Sequence, residues 1–152
     1  MRHIKKIILL TVSVIFFSAC SSLMLSPAEF GWPIESVLKI DDKGFVKDDR
    51  YSLSFNTKAM FFEETQDSMA YSGKSLRMIR SSEGFYFMTA ANFKNVYVFS
   101  TDKSSFSLVK KLQINETGLK NPVLNQRPPF VELIDEGVSY KLTSEGFEGG
   151  KK

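Results

Sequence analysis

The chain has 152 residues, 20 Lys and Arg against 17 Asp and Glu, a single cysteine and a single histidine. One cysteine excludes a disulfide framework within the chain. Three of the basic residues (Arg2, Lys5, Lys6) and none of the acidic ones precede Cys20, which leaves 17 of each sign spread along the remainder; a balanced, dispersed charge of this kind excludes the basic face of a nucleic-acid binder.

The N-terminus reads as an address. After the positive start, Ile7 to Phe17 is an apolar run of 11 residues, the length of a signal-peptide core. A helix over residues 7–19 would be about 20 Å long at ~1.5 Å per residue, against a hydrocarbon thickness of roughly 30 Å, so the run is too short for a stable transmembrane helix. The small pair Ser18-Ala19 then supplies an open cleavage site. Phe17-Ser18-Ala19-Cys20 resembles the lipobox of bacterial lipoproteins, with phenylalanine where leucine is usual. The resemblance implies cleavage between Ala19 and Cys20 and acylation of Cys20, which becomes the first residue and the membrane anchor. Each buried methylene contributes about 0.8 kcal/mol, and two or more chains hold a protein stably where one does not. Ser21, directly after Cys20, resembles the type sent to the outer membrane rather than kept at the inner one.

On this reading residues 1–19 are a helical signal peptide, 20–30 the lipidated cysteine and its tether, 31–147 one all-β domain, and 148–152 a disordered tail. His3 leaves with the signal peptide and the Cys20 thiol is acylated. No Ser-His-Asp triad, Cys-His pair, or metal site built on imidazole or thiolate then remains. Ser36-Val-Leu-Lys39 matches Ser-x-x-Lys but lies in a strand-like run without its partner motifs. Gly73-Lys-Ser75 ends like a phosphate loop, but Ser68 stands where glycine is needed, so it reads as a turn before a strand.

Beyond the tether the hydrophobic period is two. Tyr51, Leu53 and Phe55 alternate with serines; Leu76 and Met78 flank Arg77, Phe85 and Phe87 flank Tyr86, Val96 and Val98 flank Tyr97, and Phe106 and Leu108 continue the pattern. Asp41–Gly44, Ser81–Gly84, Thr101–Ser105 and Asp135–Gly137 are turn signals between β-rich runs, each read as a hairpin. About eight antiparallel strands built from hairpins predict a β-sandwich or small β-barrel. Residues 59–70 have room for a helical turn or two, and the proline-broken segment from Asn115 to Phe130 is expected to cross between sheets.

The paired acids Asp41-Asp42, Asp48-Asp49 and Glu63-Glu64 lack the spacing of a calcium loop and read as solvated turns. No metal or cofactor is expected, and no catalytic pair. The aromatic content is less ordinary, because Phe61-Phe62 and Phe85-Tyr86-Phe87 put rings on both faces of one segment, and neighbours on opposite faces cannot share one interior. Trp32, Phe61, Phe62, Tyr86 and Tyr97 are therefore the expected contact residues, with Trp32 docking near the membrane or plugging the domain's own core. The expected function is that of a non-catalytic, periplasm-facing envelope lipoprotein, an accessory or structural subunit bound to an envelope protein partner. A carrier for a lipid or other apolar ligand is the alternative. An aromatic cavity favours the carrier, an exposed apolar face with a filled core favours the subunit, and converging carboxylates favour an enzyme.

Overall fold

The computed structural model describes residues 34–102 and 105–150. Eleven strands and one helix follow in the order β1 (Ser36–Lys39), β2 (Phe45–Asp48), β3 (Leu53–Asn56), α1 (Lys58–Thr65), β4 (Ser75–Arg80), β5 (Tyr86–Thr89), β6 (Asn95–Asp102), β7 (Ser105–Gln113), β8 (Val123–Arg127), β9 (Phe130–Asp135), β10 (Val138–Leu142) and β11 (Phe147–Gly149). They form three antiparallel sheets: five strands in the order β1-β4-β5-β6-β7, four in the order β11-β10-β9-β8, and the pair β2-β3. Each sheet is open-ended, so the fold is a sandwich with an added layer and not a closed barrel.

The five-stranded sheet is the middle layer, and its period-two alternation is apolar on both faces. Leu76, Met78, Tyr86, Met88 and Tyr97 point to one interior, shared with Val46, Met60, Phe61 and Phe93 from the β2-β3 and α1 side. Ile79, Phe87, Val96 and Val98 point to the other, shared with Leu124, Val131, Leu133 and Leu142 of the four-stranded sheet. The cross-strand register agrees, with Met78 opposite Met88 and Met88 opposite Tyr97 on one face, and Ile79 opposite Phe87 and Phe87 opposite Val98 on the other. Every residue of β5 is buried as a result. The run Phe85-Tyr86-Phe87 that no single interior accommodates is explained by two interiors, with Tyr86 in the first and its neighbours in the second.

Three expectations are corrected. The turn Asp41–Gly44 is not the tip of a hairpin: the Asp41 carboxylate accepts the N–H groups of Lys43 and Phe45 at 2.9 and 2.8 Å, and beyond this turn the chain leaves the five-stranded sheet so that β2 pairs with β3. The segment from Asn115 does cross between sheets, but its second half is β8, paired with β9 from Val123 opposite Ile134 to Arg127 opposite Phe130. Pro122, Pro128 and Pro129 lie just outside the strand, where a missing N–H costs no ladder bond. The start of the expected tail is also ordered: Glu148 lies opposite Lys141 and Phe147 opposite Leu142, which makes β11 the edge of the four-stranded sheet.

The crossover is held closely. Leu119 donates its N–H to the Phe93 carbonyl at 2.8 Å and accepts from the Asn92 N–H at 2.6 Å. Gly118 has φ +89°, and a Cβ there would lie 2.8 Å from the Asn92 carbonyl oxygen, so glycine is required by both the backbone and the approach. The buried Asp135 carboxylate accepts the N–H groups of Lys120 and Asn121, closing the segment onto the end of β9.

Candidate functional site

An open groove of about 660 Å³ lies beside β3. One wall is the consecutive run Tyr51, Ser52, Leu53, Ser54 and Phe55, and the other is made by Thr101, Ser105 and Phe106 at the end of the β6-β7 hairpin, with Tyr86 between them. A second cavity of about 210 Å³ adjoins it, shares Phe55 and Phe106, and is completed by Met60, Met88 and Phe99 among others. Among the described residues no charged side chain lines either one.

The rings that form this surface brace one another edge to face. Tyr86 meets Tyr51 at 5.6 Å and Phe106 at 5.2 Å between centroids, and Phe106 in turn meets Phe55 at 5.1 Å and Phe99 at 5.8 Å. Such contacts are each worth about 0.5–1.5 kcal/mol beyond area burial. They fix the groove before any ligand enters. Tyr51, Leu53, Phe55 and Phe106 are half-buried, packed on the first interior on one side and open to the groove on the other.

The expected contact residues divide. Tyr86 lies in the groove at 6% exposure, and Phe62 stands on the outer face of α1 at 48%. Phe61 and Tyr97, at 2% and 1%, are core residues instead, because the face of the middle sheet they serve is covered by α1 and β2-β3. Trp32, Ala19 and Cys20 lie outside the described residues. Sequence reasoning did not single out Phe106, Thr101 or Ser105 for the site; alternation marked Phe106 as a strand residue, and nothing local marks which strand faces it.

Among the described residues no carboxylate lines the groove. Glu64, read from sequence as part of a solvated turn, lies on α1 and accepts the Lys94 N–H at 2.7 Å, the Asn95 side-chain amide at 2.8 Å and the Tyr97 hydroxyl at 2.8 Å. Asp48, also read as solvated, is buried and accepts from the Ser36 hydroxyl and, at 2.8 Å, the Arg50 N–H. Glu35 pairs with Arg77 and accepts the Leu124 N–H at 3.0 Å. Burial pushes the Glu35 carboxyl upward, opposed by that N–H and by Arg77. With Asp135, these four tie distant segments together, and their acceptor capacity is used by the fold.

The tyrosines carry a testable electrostatic signature. Burial, reinforced by the hydrogen bond to Glu64 and by the charges of Glu64 and Glu63, holds the Tyr97 phenol far above its usual range. Tyr86 is raised by burial against the opposing pull of Arg80. A folded state that keeps a proton the unfolded chain gives up near pH ~10 is fully stabilised by it below that pH and loses the contribution as pH rises further. Of the five tyrosines, Tyr97 is thus expected to ionise only as the protein unfolds. A phenolate absorbance titration followed beside circular dichroism checks this; Tyr97 ionising reversibly near pH ~10, with the fold intact, is the contrary result.

No protein-family model, curated protein or solved structure matches this chain.

Proposed function

We propose that this chain is a bacterial envelope lipoprotein, cleaved after Ala19 and held by lipid on Cys20 at the periplasmic face of the outer membrane. Its β domain acts by binding, as an accessory subunit of an envelope assembly, and the groove beside β3 is its contact surface. One observation carries the binding site: a groove of about 660 Å³ with braced rings, and with no charged side chain among the described residues, lies open beside the first interior. Use of Glu35, Asp48, Glu64 and Asp135 as structural acceptors favours a non-catalytic role. The anchor rests on the Phe17–Cys20 resemblance and on the charge balance that follows it.

The adjoining apolar cavity of about 210 Å³ gives the carrier reading its support, as a place for part of an apolar ligand. Mild detergent extraction followed by native-gel sizing separates the two. A large assembly with defined partners supports the subunit; a lone protein with a co-purifying lipid supports the carrier.

Cys20→Ala tests the anchor directly. A protein with at least two acyl chains stays with the membrane, whereas one with none has no such hold. The variant is expected to lose incorporation of labelled palmitate and to leave the washed outer-membrane fraction. Unchanged labelling refutes lipidation at this residue.

A further inference from the structure

Leu53, Ser54 and Phe55 of β3 line the groove together, with Tyr51 and Ser52 of the turn before it. Successive side chains of a strand point to opposite faces, so a surface that touches all three runs along the strand's edge. That edge is open: among the described residues β2 is the only strand paired with β3. The far wall begins at Ser105 and Phe106 of β7, which is itself an edge strand with β6 as its only described partner. The groove is therefore a gap beside an unpaired row of backbone N–H and C=O groups, the arrangement that accepts an added strand.

Side-chain recognition is present next to this edge. The second cavity opens where Phe55 and Phe106 meet, and its walls are almost wholly apolar, with Met60 and Met88 from the first interior and Phe99 packed against it. A strand laid along β3 sends alternate side chains toward that interior, so one apolar side chain of the incoming segment falls over the cavity. Among the described residues neither lining carries a charge, which makes a charged residue beside them costly to desolvate without a partner. Hydroxyls of Ser52, Ser54, Thr101 and Ser105 on the rim suit neutral polar side chains instead.

We propose that the groove binds an extended, uncharged peptide segment of a partner protein, added antiparallel or parallel to β3 as a third strand, with one apolar side chain seated between Phe55 and Phe106. This rests on the reading of the groove as the binding surface and names what enters it. The four residues of β3 span about 14 Å at ~3.4 Å each, so the recognised core is four or five residues long.

The test is selection from a display library of uncharged heptapeptides on the detergent-solubilised full-length protein, with Ser105→Trp as the counter-selected control. Ser105 is exposed, so the indole blocks the groove without entering a core. The expected result is enrichment of sequences with apolar residues at alternate positions. Their affinity should fall roughly tenfold or more in Ser105→Trp and in Phe106→Ala, and their binding should slow amide exchange at alternate residues of β3. No enrichment over the control overturns the proposal, as does binding that leaves β3 exchange unchanged. A groove that responds to cellotetraose, to phosphatidylcholine micelles or to the protein's own concentration, and not to the peptides, overturns it too. If a native assembly is lost in Ser105→Trp while β3 exchange is the same with and without it, the subunit reading stands and strand addition fails. If Ser105→Trp leaves that assembly intact, the groove is not its contact surface.

Discussion

Phe87→Ala is expected to lower the free energy of unfolding by about 4 kcal/mol, within the range for truncating a fully buried phenylalanine. Phe87 is 1% exposed at the centre of the middle sheet, between Ile79 on β4 and Val98 on β6. Its face meets the four-stranded sheet, which contributes Leu124, Val131, Leu133 and Leu142 to the same interior. Strands on both sides fix the backbone, so the sheets have little freedom to collapse into the space left by the ring. The loss therefore includes a cavity term as well as the transfer of the ring from water. Urea unfolding measures it as a lower midpoint at an unchanged slope. Phe87→Leu, which keeps most of the volume, should cost less than about 1.5 kcal/mol. A loss that small for alanine would mean that the two sheets do not close on this residue.

Glu64→Ala should cost about 3 kcal/mol by a different mechanism. Nothing large is removed from a core, but the Tyr97 hydroxyl, the Lys94 N–H and the Asn95 amide lose their common acceptor. Tyr97 is 1% exposed. A donor left unpaired at such a site carries a penalty of roughly 1–3 kcal/mol, and bonds to a charged acceptor are among the stronger ones. Glu64 is also what joins α1 to β6, so its loss weakens the seating of Phe61, which packs edge to face on Phe93 at 4.7 Å. At about 3 °C per kcal/mol for a chain of this size, the melting temperature should fall by roughly 10 °C. Glu64→Gln keeps one carbonyl oxygen and should recover part of the loss. Faster amide exchange at Lys94 in the alanine variant locates the effect; an unchanged melting temperature would show that water replaces the carboxylate without penalty.

Both predictions concern residues whose roles were differently visible. Phe87 belongs to an alternating run, and alternation marks strand residues whatever the rest of the chain does. The turns at Ser81–Gly84 and Asp135–Gly137 were equally legible, because their chemistry is local: Gly84 at φ +91° and Gly137 at φ +79° take backbone conformations that other residues avoid. Glu64 was not legible. An acidic pair reads as solvent-facing by composition, and its three donors come from β6 and the residue just before it, about thirty residues further along.

The elements missed were those whose stability is not local. β8 is framed by prolines and β11 contains Gly149, so each is held as a strand by the ladder of its neighbour more than by its own propensity. The groove is of the same kind. Tyr51 and Phe106 come together through Tyr86 only because the β6-β7 hairpin reaches the side of the sheet where β3 is laid.

The sequence by itself determined that the chain is built from antiparallel strands and that its charge after Cys20 is balanced. It also placed adjacent aromatic residues on opposite faces of the same strands. Local propensity and period suffice for that, since both act over a few residues. Only the tertiary structure decided what covers each face, which carboxylates became internal acceptors and which strand edge stayed open. Period two states that a strand has two faces, and whether a face meets water, a helix or a second sheet is settled by segments far away in the chain.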